Sequence, residues 1–324
     1  MARNAIPPNS SATVPSPSST RNPPTSRFSS TPASTSLTRK TGTGVLAAGT
    51  FLGRRKAEDG LYEDIDPPEP RLEDPAVFEA LPDFIKNSLN RRRYFWRWDT
   101  PEKYDANLRA RYRMITGMDR IIGRIRDALN RRGLSDNTVI VFSADNGYYR
   151  GERGLAGKWT HFEESLRVPL IVFDPSLPAE RRGRVVDALA LNLDFPSTFL
   201  DYAGVPIPPS YRGHSLRPLI EGEVPDAWRT EFFAEHQHFA GGIIPGWSGV
   251  RGERYVYARY GHQSPPYEFL HDLETDPLQL ENFADDPEYR EILERMRAKR
   301  AAYVERYTRQ SPKSAAETKS AAEK

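Results

Sequence analysis

Two short runs hold the side chains best suited to chemistry. In Ser143-Ala144-Asp145-Asn146-Gly147-Tyr148-Tyr149 a carboxylate and an amide stand side by side ahead of a glycine. Both offer hard oxygen atoms, the donors that Ca²⁺ and Mg²⁺ prefer, and the glycine allows a tight turn that aims the pair at one ion. Asp-Asn-Gly is also an ordinary turn sequence. In Gly154-Leu155-Ala156-Gly157-Lys158-Trp159 a lysine lies between a glycine and a tryptophan. Its ammonium is suited to neutralising an anionic ester oxygen, and the indole to shaping a sugar or aryl pocket. The plainer alternative is a solvated lysine beside a packing tryptophan.

The elements that must position these runs are legible on either side. Thr138-Val139-Ile140-Val141-Phe142-Ser143 is a short apolar run without alternation, which predicts a strand buried on both faces of a parallel sheet. Asp145 then falls at the carboxyl end of that strand, where ligands collect in open α/β sheets. Upstream, Leu108, Tyr112, Ile115, Met118, Ile122, Ile125 and Leu129 recur at threes and fours, predicting an amphipathic helix over Glu102–Arg131 with Gly133 as its left-handed cap. Val168–Phe173 predicts a second buried strand, and Leu189–Ala203 and Ser215–Ile220 short helices, so this part reads as an α/β layer. Glu231–Glu235, Gly249–Tyr260 and Tyr267–Leu273 read as strands of a smaller antiparallel sheet. A closing helix over Pro287–Tyr307 places Tyr289, Ile292, Leu293, Met296 and Tyr303 on one face.

Composition narrows the function classes. The formal net charge of the 324 residues is +2, but eight Lys or Arg and no acid precede Glu58, which leaves a mildly acidic body without a basic stripe. That excludes nucleic acid as the main partner, since such binding needs concentrated positive charge. The chain has no cysteine, so disulfides, thiolate metal sites and a cysteine nucleophile are excluded. No secretory signal is visible at the N-terminus, and the apolar patch Val45–Leu52 is too short to span a bilayer, so no membrane segment is expected. Residues 1–57, rich in Ser, Thr, Pro, Ala and Arg, hold too few large apolar groups to offset the entropy of ordering, and are expected to be disordered.

Taken together, the runs match something specific. Asn137 to Tyr149, then Gly157-Lys158-Trp159, then Glu163 to Val172 closely resembles the central signature of sulfatases. The likeness extends upstream through Tyr104–Leu134 and more faintly to about Leu61. Downstream it takes in Asp194 to Leu200, Ala203-Gly204-Val205, Gly213-His214-Ser215-Leu216, Gly249-Val250-Arg251 and Tyr267 to Leu273, followed by Asp276-Pro277.

The resemblance implies an alkaline phosphatase-like, mostly parallel sheet flanked by helices, incomplete here, with a smaller C-terminal antiparallel sheet and closing helix. It implies segments at 1–57 (low complexity), 58–225 (C-terminal portion of the α/β domain), 226–309 (C-terminal subdomain) and 310–324 (disordered tail). Asp145 and Asn146 become ligands of a divalent ion, usually calcium, and Lys158 a catalytic contact to a sulfate or bridging ester oxygen. His161 and His236 become candidate substrate-binding residues, with a surface-loop role for either as the alternative, and Glu235 and His238 lie in the same region. Arg153 stands where many sulfatases have a histidine.

Sulfatases attack with a formylglycine made from Cys or Ser inside Cys/Ser-x-Pro-Ser/Thr-Arg. Here Ser30-Thr31-Pro32-Ala33-Ser34 is the nearest run and lacks the arginine, so no nucleophile is assigned. The expectation is therefore a sulfuric ester hydrolase, acting on sulfated carbohydrate or another sulfate ester in its full-length form. The chain itself is expected to be a truncated portion, inactive alone, weak in metal affinity, and carrying sheet edges open to a partner. A phosphonate or phosphate ester hydrolase of the same superfamily and a non-catalytic binding module are the rival expectations. The family is commonly exported, while the chain's own location is not readable from its residues.

Overall fold

The structure is a computed structural model that describes residues 58–238 and 240–309. The expectations for 1–57 and 310–324, including Val45–Leu52 and Ser30–Ser34, lie outside the described residues.

Three short helices come first, α1 (Pro75–Glu79), α2 (Asp83–Lys86) and α3 (Leu89–Arg97). None was expected, because they are brief and their charged runs show no periodicity. The long helix follows as predicted, α4 (Pro101–Arg131), with Thr100 accepting from the Lys103 amide at its start and Gly133 left-handed (φ +65°) beyond its end. Its inner face buries Asn107, Leu108, Ala110, Arg113 and Gly117, whereas Ile115 and Ile125 of the expected apolar stripe are exposed.

Next come β1 (Ile140–Ser143), β2 (Tyr149–Arg150), β3 (Ala156–Gly157), α5 (Glu163–Leu166) and β4 (Leu170–Phe173). The two apolar strands correct a local expectation. β1 and β4 pair antiparallel with each other, Ile140 opposite Phe173 and Ser143 opposite Leu170, and neither is buried on both faces. Each has one ladder partner among the described residues, and Ile171 is 62% exposed. An unbroken apolar run signals a strand without specifying what covers it. The loop between them folds back on itself through the β2–β3 pair, Tyr149 opposite Gly157.

Two helices, α6 (Asp194–Tyr202) and α7 (Arg217–Glu221), lead into a four-stranded antiparallel meander of β5 (Glu231–His236), β6 (Trp247–Gly252), β7 (Tyr255–Tyr260) and β8 (Tyr267–Asp272). The period of two sends its residues to opposite faces. Val250, Tyr257 and Leu270 meet Leu293 and Met296 of the closing helix α8 (Arg290–Arg309), with Tyr289, Ile292 and Tyr303 packed around them as the sequence predicts. Trp247, Ala258, Tyr260 and Phe269 face the other way and form one core with Leu81, Ile85, Tyr149, Leu155 and Phe162. The β1–β4 loop is thereby built into the core rather than draped over it. Among the described residues no helix is long and apolar enough to cross a membrane.

Candidate functional site

The Asp145-Asn146-Gly147 turn leaves the carboxyl end of β1 as expected and is fastened on both sides. Asn192 donates to the carbonyls of Ala144 (3.2 Å) and Asp145 (3.4 Å), the Gly147 amide donates to the Ser165 carbonyl (2.9 Å), and Ser143 Oγ to the Pro169 carbonyl (2.9 Å). Gly147 is needed for a reason other than a left-handed turn. A Cβ there would sit 2.2 Å from the Glu164 carbonyl oxygen, so the backbone of the two segments touches through the hydrogen atom. Gly147→Ala is expected to cost about 2 kcal/mol by forced separation of the segments, read as a lowered urea midpoint.

Lys158 follows β3, and its backbone is held from three directions. Asn90, buried on α3, donates to the carbonyls of Ala156 (3.0 Å) and Lys158 (2.7 Å). Trp159 adopts a left-handed φ of +92°, which a bulky residue holds only when its surroundings insist on it. Its amide donates to Ser165 Oγ (2.9 Å), its carbonyl accepts from Trp247 Nε1 (2.8 Å), and the Arg93 guanidinium lies 5.1 Å from its ring centroid. This scaffolding aims the lysine at the other run, where Lys158 Nζ donates to Asn146 Oδ1. Asn146 Nδ2 donates to the Gly147 carbonyl (2.7 Å), which fixes which end of the amide faces the ammonium.

Of the predicted residues, Asn146 and Lys158 thus meet, and Asp145 stands exposed beside them. His236 ends β5 opposite Trp247, half-buried. Burial lowers its pKa, and the charge of Lys158 lowers it further, so the imidazole is neutral at pH 7 and lies within electrostatic reach of the lysine. His238 is exposed and lies against His262 instead, ring centroids 4.5 Å apart and the rings tilted by 31°.

His161 does not join the group. It is 0% exposed, with Nδ1 2.9 Å from the Tyr260 hydroxyl and Nε2 3.0 Å from His271 Nε2. His271 Nδ1 lies 2.7 Å from the Glu281 carbonyl, which can only accept. One proton arrangement satisfies the chain: His271 donates through Nδ1 and accepts at Nε2, His161 donates from Nε2 and accepts the Tyr260 proton at Nδ1. Both nitrogens of His161 are therefore spent inside the core, which corrects the expectation of substrate contact. Arg153 is also structural. It is 2% exposed and donates to the carbonyls of Gln279 (3.0 Å) and Leu278, while facing Glu164 at 3.3 Å. The positioning residues Asn90, Asn192 and Trp247 escaped the sequence reading because each is distant along the chain and carries no local signal.

The donor types suit the divalent ion that the resemblance implies, but their number does not. Asp145 and Asn146 supply two oxygens where Ca²⁺ takes roughly six to eight, and Lys158 already occupies the amide oxygen. Among the described residues no group of three or more His, Asp or Glu is placed to hold a metal. The described residues alone do not close a metal site.

Comparison with known proteins resolves the family. The Sulfatase family model matches residues 7–205, and the model for N-sulphoglucosamine sulphohydrolase, C-terminal, matches residues 151–305. The first match begins well before Leu61, where the likeness seen in the sequence fades. An N-acetylglucosamine-6-O-sulfatase from Bacteroides thetaiotaomicron is 32% identical over 190 residues, 58% of this chain and 34% of that enzyme. A protein solved in complex with its substrate D-glucosamine-2-N,6-O-disulfate shares 28% identity with a TM-score of 0.59, over 65% of this chain and 42% of that one. A phosphonate monoester hydrolase from Silicibacter pomeroyi superposes with a TM-score of 0.67 at 25% identity, over 78% of this chain and 53% of its own. The chain spans about a third to about a half of the length of these relatives. Its α/β architecture, with the small antiparallel sheet and C-terminal helix, is that of the alkaline phosphatase-like fold. With the signature runs, their mutual placement and the family match in agreement, the chain belongs to the sulfatase family.

Proposed function

We propose that this chain carries the lysine and asparagine side of a sulfuric ester hydrolase site, and that the complete site acts on sulfated carbohydrate with a calcium ion bound. The observation that supports this best is the Lys158 ammonium held on Asn146 Oδ1 at the end of β1, beside the exposed carboxylate of Asp145. In sulfate ester hydrolysis the bond between sulfur and the bridging oxygen breaks and negative charge gathers on that oxygen. An ammonium positioned there favours the charge as it develops. Neutral His236 is suited to a hydrogen bond with a sugar hydroxyl at the rim. When bound, the calcium would polarise the sulfate oxygens, with Asp145 and Asn146 among its ligands.

The sulfated-glucosamine relatives support a carbohydrate ester. The fold likeness to a phosphonate monoester hydrolase keeps a phosphonate ester as the second reading. Ligand-observed NMR titration of the 324-residue chain with N-acetylglucosamine 6-sulfate, with a phosphonate monoester and with unsulfated N-acetylglucosamine separates the three cases. The sulfated sugar is expected to bind best, and Lys158→Ala or Asn146→Ala to weaken it at least about tenfold, the loss of one charge-assisted hydrogen bond. Equal binding of the unsulfated sugar, or no loss in either variant, would sink the proposal. Calcium is expected to bind the chain no tighter than about 1 mM, given two ligands. The purified chain is expected to release no sulfate, because it holds neither a cysteine nor the Cys/Ser-x-Pro-Ser/Thr-Arg run. Turnover at roughly 1 per second, an ordinary enzyme rate, would overturn that expectation.

A further inference from the structure

On the face of the meander that meets α8, away from Trp247 and Lys158, an open pocket of about 440 Å³ is lined by Tyr257, Arg259, Pro266, Glu268, Arg297 and Arg300. Three guanidinium groups converge there against one carboxylate, and that carboxylate is already committed. Glu268 accepts two bonds at 3.1 Å from Arg297 Nε, another from Arg297 Nη2, and one from the Tyr257 hydroxyl. Burial pushes its carboxyl up, but Arg297 and Tyr257 outweigh this and hold it below the usual range. Arg297 is satisfied in turn by Glu268 and Glu294 (2.7 Å).

The other two arginines form no ion pair among the described residues, although both feel the charge of Glu268. Arg300 spends one donor on the neutral Ser248 hydroxyl (2.9 Å). Its pKa is lowered, first by burial and also by the neighbouring charge of Arg259, with Tyr257, Glu268 and Glu235 acting the other way. Arg259 makes no hydrogen bond or ion pair among the described residues, although its strand position beside Tyr257 and opposite Glu268 turns it into the pocket. Two forked donors with surplus charge, in a concavity too polar for an apolar ligand, match the geometry of a sulfate or carboxylate group.

We propose that this pocket is a second anion site, which holds a sulfate or carboxylate of an anionic polysaccharide while another sulfated residue of the same chain lies at Lys158. The proposal rests on the sulfated-carbohydrate reading for its ligand class but not for its binding residues. Two separated contacts on one polymer convert the second into an intramolecular event, so a long ligand gains affinity that a monosaccharide does not.

The test is isothermal titration of the full chain with a heparin-derived decasaccharide, with glucosamine 6-sulfate and with inorganic sulfate, at one fixed ionic strength. Arg259→Glu is expected to weaken decasaccharide binding about tenfold or more and to leave the monosaccharide unchanged; because it sets a second carboxylate opposite Glu268, its fold is checked by circular dichroism. Arg259→Ala combined with Arg300→Ala should repeat the loss. Lys158→Ala should lower decasaccharide binding without abolishing it, leaving the part that Arg259→Glu removes, whereas undiminished binding in Lys158→Ala would overturn the joint engagement of the two sites. Undiminished binding in Arg259→Glu overturns the proposal. So does an equal loss in a control that removes exposed Arg126 and Arg217, which would mean diffuse charge, or pocket-dependent binding of inorganic sulfate without any gain for the polymer. Failure of the monosaccharide to bind at all would instead strike the reading of the Lys158 site.

Discussion

Lowering the pH from about 7.5 to about 4 is expected to remove about 3 kcal/mol of folding stability through His271 alone. Burial pushes this imidazole down to about 4, against an ordinary value of 6.5, with the nearby Arg153 charge adding to the effect and the Glu281 carbonyl and Asp276 opposing it. His161 is lowered as well, by burial first and then by the charges of His271 and Arg153. The sign follows from proton binding. Between pH 6.5 and 4 the unfolded chain takes up protons that the folded chain refuses, so stability falls as the pH falls through that window. Protonating His271 at Nε2 would also set two N–H donors against each other across the 3.0 Å His161–His271 contact. Urea titrations across the window should show the decline. His271→Gln keeps one donor and one acceptor, so it should lose stability at neutral pH yet flatten the slope. An unchanged slope in the variant would refute the assignment, since carboxylates elsewhere contribute equally to both proteins.

Arg153→Met is expected to cost about 3 to 5 kcal/mol, comparable with breaking other buried charged networks. The native side chain threads a left-handed backbone position (φ +59°) and reaches two carbonyls and Glu164, and its guanidinium lies 4.2 Å from the centroid of the Phe162 ring. Methionine fills most of the volume but leaves Glu164 and the carbonyls of Gln279 and Leu278 without their donor. Arg153→Lys should fall between, restoring the charge without the planar fork that spans two acceptors. A urea midpoint within error of the native protein would mean that these groups find water or other partners.

What could be read in the residues was whatever repeats or clusters locally. The threes and fours of Leu108 to Leu129 pointed to α4, the apolar runs to β1 and β4, the runs Glu231–Glu235, Gly249–Tyr260 and Tyr267–Leu273 to the small sheet, and the one-face spacing of Tyr289 to Tyr303 to its covering helix. Asp145, Asn146 and Lys158 stood out by residue type, but an ordinary turn and a surface lysine fit those runs as well, and it was the resemblance to sulfatases that gave them roles. Partners lay beyond reach. An apolar run does not disclose that Ile140 sits opposite Phe173, nor that Ile171 faces outward. A histidine after Lys-Trp-Thr reads as a surface residue until His271, far along the chain, is seen to accept its hydrogen bond. Arg153 looked like a departure from its relatives, and only the carbonyls of the segment before α8 show what the longer, forked side chain does there.

The β1–β4 loop and the meander share more than a packed core. Trp159 is tied to Trp247, His161 to His271, Arg153 to Gln279, and Glu163 both to Arg251, at 3.1 and 3.2 Å, and through its amide to Gln279 Oε1, at 2.9 Å. Recombining relatives at the connection near residue 226 would therefore cut through bonded pairs rather than between modules. A graft that imports a new meander must bring its own answers to Trp159, His161, Arg153 and Glu163, or the loop that carries Lys158 loses the side it leans on.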